Sequence, residues 1–207
     1  MSGEPAGDAP PASLPRRARR GRKAILALTA AIVLLFAVTR WVLVPYRIRG
    51  PSMRPTLLGR EDGDRREDGD IVAVSRIAYV LSGPARWDVV VVRHPGGEPM
   101  DPPGSGPHES VKRVVGLPGE RIEIQAGRVV ANGLELEPPA PLKTSKVVEK
   151  GEYGRTPVQL GEDEYFLLGD NSYLSSDSRR WGPIPRSMIE GRLVFVLYPP
   201  DRVGLVR

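Results

Sequence analysis

The chain has 207 residues, enough for one membrane anchor and one domain of ordinary size. It contains no cysteine, which excludes disulfides, thiol catalysis and cysteine-based metal sites. Lysine and arginine outnumber aspartate and glutamate by 30 to 25, and basic residues crowd positions 16–23, just before an apolar run. Because the rest of the chain mixes both signs, this cluster predicts an oriented membrane protein with no nucleic-acid partner.

Residues 24–44 are predicted to form a single transmembrane helix. The run from Ala24 to Thr39 contains only apolar residues and threonine. A helix over the predicted segment, rising about 1.5 Å per residue, spans a hydrocarbon core of about 30 Å. The basic cluster places residues 1–23, a tail expected to be disordered, in the cytoplasm and residues 45–207 outside the cell membrane.

Two alternatives for this segment stay open. A cleaved secretory signal also begins with positive charge and an apolar stretch, but this stretch is long for a signal and no small-x-small cleavage site follows it. A buried globular helix is the second alternative, although the amphipathic stripe that such a helix needs is missing. The uncleaved anchor is the favoured interpretation.

Beyond Pro45 the pattern is typical of short β-strands, rich in Val, Ile, Tyr or Phe and bounded by Gly, Pro or Asp. Asn132-Gly133 between two alternating runs is a strong hairpin signal. We predict a mainly β, antiparallel domain with a core at 45–126 and 162–200 and a small inserted β-hairpin lobe at about 127–161. The predicted strands are Tyr46–Arg49, Asp70–Ser75, Asp88–Arg93, Ser110–Val115, Arg121–Gln125, Arg128–Ala131, Leu134–Glu137, Glu164–Leu168 and Arg192–Tyr198.

Three segments contain residues that could carry chemistry. In Gly50–Leu57, Ser52 lies between two prolines on stiffened backbone, which suits a nucleophile, although a serine in such a turn is usually only a turn residue.

Lys112, in the second segment, lies in an alternating apolar strand. If its side chain faces solvent it has no special role. If it faces inward, desolvation lowers its pKa from about 10.4 toward neutrality, so that it can accept a proton from a serine hydroxyl.

The third segment is the polar run Gly169–Arg179, which follows a predicted strand. Such a run is commonly an Asx/Ser loop without chemistry. Its functional interpretation is that hydroxyl groups orient Lys112 and that Asp177 and Arg179 form an ion pair that fixes the loop. The two histidines, His94 and His108, lie in segments rich in proline and glycine without metal-ligand spacing, so we predict no metal and no cofactor.

Together and in this order, the segments resemble the bacterial type I signal peptidase (leader peptidase) family. Its Ser-Met-x-Pro-Thr-Leu element matches Ser52–Leu57, and its Lys-Arg-x-x-Gly-x-Pro-Gly element matches Lys112–Gly119. Its Gly-Asp-Asn…Ser-x-Asp-Ser-Arg element matches Gly169–Arg179. The resemblance covers about residues 24–198, with the anchor ahead of the motifs as in the family.

The resemblance implies a membrane-bound serine endopeptidase that removes signal peptides with small-x-small ends from secretory preproteins. Ser52 is then the nucleophile and Lys112 the general base. Ser175 matches the hydroxyl that hydrogen-bonds the lysine, and Asp177 and Arg179 match the supporting pair. We expect a monomer in the cell membrane. The residues that match substrate-binding positions are Ile48, Met53, Leu57 and Val111.

One position departs from part of the family. Some members carry a serine two residues before the nucleophile, and its hydroxyl helps to stabilise the oxyanion, whereas this chain has Gly50 there, as other members do. Two other functions remain open. One is a membrane-anchored β-domain that binds peptides without cleaving them. The other is a Ser-Lys protease that cleaves itself or a partner, against which the anchor and the lack of a DNA-binding helical region argue.

Overall fold

The computed structural model describes residues 16–59, 69–94 and 108–206. The chain divides into two compact units, residues 1–40 and residues 41–207.

Helix α1, Arg16–Val42, accounts for the described part of the first unit. It begins inside the predicted tail, whose residues 1–15 lie outside the described residues. It ends before Pro45 because proline disfavours helical backbone in the residue that precedes it, so Leu43 and Val44 belong to a strand and not to the predicted anchor. Across the three described ranges, no helix is both long enough and apolar enough to span a membrane.

The second unit is built on two antiparallel sheets, as the strand pattern predicts. The strands are β1 (Leu43–Arg47), β2 (Ile71–Ser75), β3 (Val89–His94), β4 (His108–Gly116), β5 (Arg121–Gln125), β6 (Arg128–Ala131), β7 (Leu134–Glu135), β8 (Val158–Gln159), β9 (Glu164–Leu168), β10 (Ile184–Pro185), β11 (Ile189–Tyr198) and β12 (Gly204–Leu205). The larger sheet has the strand order β1-β2-β11-β3-β4-β9-β10, with β12 paired to β11, and the smaller sheet has the order β7-β6-β5-β8. A short helix α2, Ser178–Trp181, follows β9.

The smaller sheet contains strands of the predicted inserted lobe together with β5, which lies before residue 127. Strand β5 pairs with β6 and β8 and with no strand of the larger sheet among the described residues. The hairpin between β6 and β7 turns at Asn132-Gly133, with positive φ at both residues, as the sequence predicts. The smaller sheet therefore begins at Arg121.

Three hydrophobic clusters hold the unit together. The first packs Ile48, Met53 and Leu57 against valines of the larger sheet, including Val91 and Val111. The second joins the smaller sheet to β9, and the third lies on the other face of β3 and β4. Because alternate residues of β3 and β4 point to opposite faces, both faces of these strands are buried and their sequences are almost continuously apolar.

Two strand edges stay open beside each other. Among the described strands, β1 pairs only with β2, and the His108–Lys112 part of β4 pairs only with β3, since β9 joins β4 from Arg113 onward. A cavity of about 680 Å³ is lined by residues of both edges. We call this cavity the groove; Ser52 also lines it.

Candidate active site

Ser52 lies in a tight turn that follows β1. The turn is closed by hydrogen bonds from the Arg54 N–H to the Pro51 carbonyl, 3.1 Å, and from the Leu57 N–H to the Met53 carbonyl, 2.9 Å. Gly50 opens the turn with φ +70°, a left-handed conformation that glycine adopts without steric cost. The backbone at this position therefore suits the glycine of this chain, and a serine there would be strained.

A buried carboxylate holds the far end of this turn. Asp70 is 1% exposed and accepts from the Leu58 N–H at 2.8 Å. Arg202 donates to the same carboxylate at 2.9 Å and to the Thr56 carbonyl at 3.0 Å. One guanidinium group of the C-terminal segment thus binds both Asp70 and the turn that carries Ser52.

Lys112 faces inward on β4, as the catalytic interpretation requires. Its side chain is buried, 3% exposed, and its Nζ lies 3.5 Å from Ser52 Oγ. The same Nζ donates to the Val111 carbonyl at 2.9 Å. It also lies 5.5 Å from the centroid of the Trp181 ring. The two residues that the sequence proposes as base and nucleophile are therefore neighbours.

Burial lowers the pKa of Lys112 from 10.5 to about 8. Desolvation is the largest cause, because an ammonium ion loses its hydration inside the protein. The charges of Asp177 and Asp170 act in the opposite direction, and the charge of Arg179 adds to the lowering. A substantial fraction of the amine is therefore neutral near physiological pH, which a general base requires.

The predicted pair Asp177 and Arg179 is present and fully buried. Arg179 Nε donates to Asp177 Oδ1 at 2.7 Å, and both side chains are 0% exposed. Asp177 also caps helix α2 and accepts from the Gly169 N–H at 3.0 Å. Arg179 donates further to Ser172 Oγ at 2.6 Å. These bonds fix the loop that follows β9, and its Asn171 N–H donates to the Ser52 carbonyl at 3.0 Å.

Ser175 is buried in this loop at 1% exposure. Its hydroxyl donates to the Ser176 carbonyl at 3.4 Å, and no hydrogen bond joins it to Lys112 in the part of the chain that the structure describes. It does lie against Gly169, where an added Cβ would meet Ser175 Oγ at only 2.2 Å and the Ser52 carbonyl at 2.6 Å. Its role toward the lysine stays a prediction.

The four predicted substrate-binding residues belong to one hydrophobic cluster. Val111 lines the groove, whereas Ile48, Met53 and Leu57 are at most 2% exposed and are not among the residues that line it. Pocket-forming roles for them stay predictions. The residues that line the groove are Pro45, Tyr46, Arg47, Arg49, Ser52, Arg93, His108, Glu109, Ser110 and Val111.

The sequence interpretation missed a second buried ion pair. Arg113 and Asp170 are bound through two parallel hydrogen bonds of 2.8 and 2.7 Å, and both side chains are 1% exposed. Arg113 also donates to the Trp87 carbonyl and to Thr56 Oγ1. Both residues lie in segments that the sequence singles out, because Arg113 follows Lys112 and Asp170 lies in the polar run. Neither segment, however, indicates that the two residues pair.

Ser52 and Lys112 are placed so that they could together carry out nucleophilic attack on a carbonyl group. A neutral amine beside a hydroxyl can take its proton while the oxygen attacks a carbonyl carbon. The 3.5 Å separation is longer than the roughly 2.6–3.2 Å of a tight catalytic hydrogen bond, as is common before substrate binds. Arg113 cannot serve as the base, because a guanidinium group does not deprotonate in proteins.

A β-sheet domain that sets a serine hydroxyl beside a buried lysine has the chemistry of a serine peptidase. Residues 21–198 match the family described as signal peptidase, peptidase S26. The chain belongs to this family, which confirms the resemblance drawn from the motifs, and it is an enzyme of the serine hydrolase class.

Named relatives are similar over most of the chain. Signal peptidase I of Leptolyngbya laminosa is 32% identical over 195 residues, which are 94% of this chain and 88% of that protein. Signal peptidase IB of Staphylococcus aureus is 30% identical over 188 residues, 84% of this chain and 88% of that protein. A crystal structure of a signal peptidase I from Enterococcus faecalis is 28% identical and covers 55% of this chain and 98% of that one, with a TM-score of 0.41.

Proposed function

We propose that this protein removes N-terminal signal peptides from secretory preproteins, with Ser52 as nucleophile and Lys112 as general base. The observation that carries the proposal is the neighbouring pair itself, a buried amine of lowered pKa 3.5 Å from a serine hydroxyl. Lys112 takes the hydroxyl proton as Ser52 Oγ bonds to the scissile carbonyl carbon. It then delivers that proton to the leaving amine, and water hydrolyses the acyl-enzyme. Ser175, Asp177 and Arg179 position the pair.

The substrate peptide can bind between the open edges of β1 and β4. An extended peptide entering the groove can hydrogen-bond both edges as an added strand, with alternate side chains directed to opposite faces. One face meets the cluster of Ile48, Met53, Leu57 and Val111, where little room is left between buried side chains. That restriction suits substrates with small residues at alternate positions, the small-x-small end of a signal peptide.

The direct test is cleavage of a purified secretory precursor in detergent. Wild-type protein should release the mature protein with a new N-terminus after a small-x-small sequence, detected by mass spectrometry. Ser52→Ala should lose at least about 10⁴-fold in kcat while keeping its fold. Cleavage by the Ser52→Ala protein at the wild-type rate would exclude Ser52 as the nucleophile. Binding of precursor without cleavage by wild type would point to the non-catalytic peptide-binding domain instead.

We also propose that residues 24–42 of helix α1 anchor the enzyme in the cell membrane, with residues 1–23 cytoplasmic and residues 45–207, the catalytic domain, outside. The support is the apolar run and the exposure of its described side chains, for example 67% at Ile25 and 63% at Leu28, which water solvates poorly. Side chains at 37–41 lie outside the described residues, so the end of the anchor rests on sequence.

The orientation has its own test. Protease added to intact spheroplasts should digest the domain at 45–207 and leave a small membrane-bound N-terminal fragment. Extraction of the protein by alkaline carbonate, or digestion only after lysis, would contradict the anchor or its direction.

We further propose that the enzyme works as a monomer without a nucleic-acid partner. Sedimentation of the purified protein in detergent would test the monomer.

A further inference from the structure

The side chain of Lys112 leaves β4 on the face of the larger sheet that carries the third hydrophobic cluster. Lys112 pairs with Val90 of β3, and both Val90 and Val114, two positions further along β4, belong to that cluster. Because directly paired residues and alternate residues of a strand point to the same face, the lysine side chain shares this apolar side. Trp181 packs against the same cluster. The sheet therefore brings the amine and the indole ring together.

The backbone that carries Trp181 is tied to the strand beside β4. The Trp181 N–H donates to the Asp177 carbonyl at 3.1 Å within helix α2. Ser178 Oγ, at the start of the same helix, accepts from the Leu167 N–H of β9 at 2.9 Å. Since β9 pairs with β4, the helix with the ring and the strand with the lysine are held on one framework.

The polar contacts of the Lys112 amine are few. An ammonium group has three N–H donors. Lys112 Nζ lies 2.9 Å from the Val111 carbonyl and 3.5 Å from Ser52 Oγ, and the second distance is long for a hydrogen bond. In the part of the chain that the structure describes, no carboxylate forms an ion pair with this amine. The protonated lysine therefore has no direct counter-ion among these residues.

The charged groups that act on the amine are themselves paired. Burial is the main cause of the lowered pKa of Lys112, and the charge of Arg179 adds to it, while the two carboxylates of Asp177 and Asp170 act in the opposite direction. Arg179 binds Asp177, and Arg113 binds Asp170, in buried ion pairs. Each arginine offsets part of the attraction that its carboxylate exerts on a nearby cation. A protonated lysine at this place needs a further source of stabilisation.

The indole ring of Trp181 can supply it. The ring centroid lies 5.5 Å from Lys112 Nζ, inside the range of about 6 Å for a cation–π contact, and tryptophan gives the strongest contact of this kind. We propose that Trp181 is a positioning residue for the general base, and that its π face holds the Lys112 ammonium that forms when Ser52 gives up its proton. The inference rests on the proposed function and adds a residue to it. The ring favours the charged amine from the attack until the proton passes to the leaving amine.

The test weakens the π face without changing its shape. Fluorine draws electron density out of the indole ring, so mono-, di- and trifluorinated tryptophan at position 181 of the full-length enzyme form a graded series. Because the ring stabilises only the protonated amine, a weaker face should lower the pKa of Lys112. The apparent pKa in the kcat/KM profile for a small-x-small peptide in detergent should fall with each fluorine, by about 0.4 to 1.5 pH units in total.

The matched control places the same fluorinated residues at Trp87, which packs against the second hydrophobic cluster. That series should leave the pH profile of the wild type unchanged. A profile that does not move with the fluorine content at position 181 overturns the inference. So does an equal shift from the series at Trp87.

Two substitutions give a second measurement. Trp181→Phe keeps a weaker aromatic face, whereas Trp181→Leu keeps an apolar side chain without one. Trp181→Leu should lose about 2- to 30-fold in kcat on the high-pH plateau, and Trp181→Phe should lose less. Both rates are measured on protein whose circular dichroism matches wild type. An equal loss in the two variants would show that apolar packing matters and the π face does not.

A direct titration separates this inference from the proposed function. With ¹³C-labelled lysine, the NMR signal that is missing from Lys112→Met reports the pKa of Lys112 without substrate. If wild type cleaves peptides while neither this titration nor the rate profile responds to fluorination, the inference is wrong and the proposed function stands. If wild type cleaves nothing, the proposed function fails, and a pKa that still falls along the series shows that the ring holds the ammonium, whereas a constant pKa overturns that contact as well.

Discussion

Lys112 Nζ and Ser52 Oγ lie 3.5 Å apart although 60 positions separate the two residues in the chain. The lysine is fixed by its place in β4, between β3 on one side and the start of the β9 pairing on the other. The serine is fixed by its turn and by the Asn171 N–H, which donates to the Ser52 carbonyl at 3.0 Å. Neither group therefore needs a large movement to exchange a proton.

Replacing Lys112 should remove the base and leave the substrate groove in place. Lys112→Ala and Lys112→Arg should both lose at least about 10⁴-fold in kcat, because alanine has no amine and arginine cannot deprotonate. The measurement is cleavage of a secretory precursor in detergent. Lys143→Arg is the matched control, since Lys143 is exposed and pairs only with Glu137 among the described residues. Full activity in Lys112→Arg would exclude lysine as the base.

The pH dependence should report the same amine. With a Lys112 pKa of about 8, the neutral base is the minor form below that pH, so kcat/KM should rise about tenfold per pH unit below it and level off above it. The profile is measured with a small-x-small peptide whose side chains do not titrate between about pH 6 and 10. A flat profile from about pH 6.5 to 9 would contradict a base with this pKa.

Burial of the Lys112 amine should also lower the free energy of unfolding. Its pKa is lowered on folding from 10.5 to about 8, so below about pH 8 both folded and unfolded chains are protonated and the full penalty is present, on the order of 3 kcal/mol. Between about pH 8 and 10.5 the unfolded chain binds more protons, and wild type gains stability as pH rises. Lys112→Met should therefore unfold at higher denaturant concentration than wild type at pH 7.

The advantage of Lys112→Met should shrink as the pH approaches about 10, because the penalty on wild type fades there. Chemical denaturation followed by circular dichroism at several pH values measures it. A methionine variant that is less stable than wild type at pH 7, or an advantage that grows with pH, would show that desolvation of Lys112 is not the main effect.

Gly169 should tolerate no side chain. A Cβ added there would lie 2.2 Å from Ser175 Oγ and 2.6 Å from the Ser52 carbonyl, so the loop and the nucleophile turn would have to separate. Gly169→Ala should lose about 10²-fold or more in kcat, the effect of misplacing a reacting group by about 1 Å. Gly204→Ala is the control, since nothing lies within 4 Å of the corresponding Cβ. Equal activity in both variants would show that the close packing at Gly169 does not matter.

Local sequence pattern predicts most of the sheet. The bounds of β5, β6 and β9 agree with the predicted strands, because alternating residues between turn signals define them. The pattern fails for β8, β10 and β12, which have two residues each and are too short to show a period. It also fails for the end of the helix, where the apolar run continues into β1 and only Pro45 marks the change.

The site is harder to predict than the fold. Ser52 and Lys112 are each ordinary in their own segments, and only the order of three motifs, by family resemblance, indicates their roles. The pairing of Asp177 with Arg179 follows from their closeness in sequence, two positions apart. The contact of Arg202 with Asp70 joins residues 132 positions apart, and no local pattern can indicate a contact that depends on the final path of the chain.

The contact between Arg202 and Asp70 should support both the fold and the turn that carries Ser52. Among the described residues, Arg202→Ala leaves the buried carboxylate of Asp70 with only the Leu58 N–H as a partner, and it removes the hydrogen bond to the Thr56 carbonyl. The turn that carries Ser52 therefore loses its support at one end. Breaking the pair should cost about 1–3 kcal/mol of unfolding free energy, less than a fully buried pair because the Arg202 side chain is 25% exposed.

The same variant should lower kcat more than it raises KM, since Arg202 touches the turn that carries Ser52 and does not line the groove. Both constants are measured well below the unfolding temperature, where the variant is folded. Arg121→Ala is the matched control, because Arg121 forms an exposed pair with Glu123 on the smaller sheet and should change stability by about 0–1 kcal/mol with no effect on kcat. If Arg202→Ala lost stability but kept its kcat, Arg202 would stabilise the fold without positioning the nucleophile.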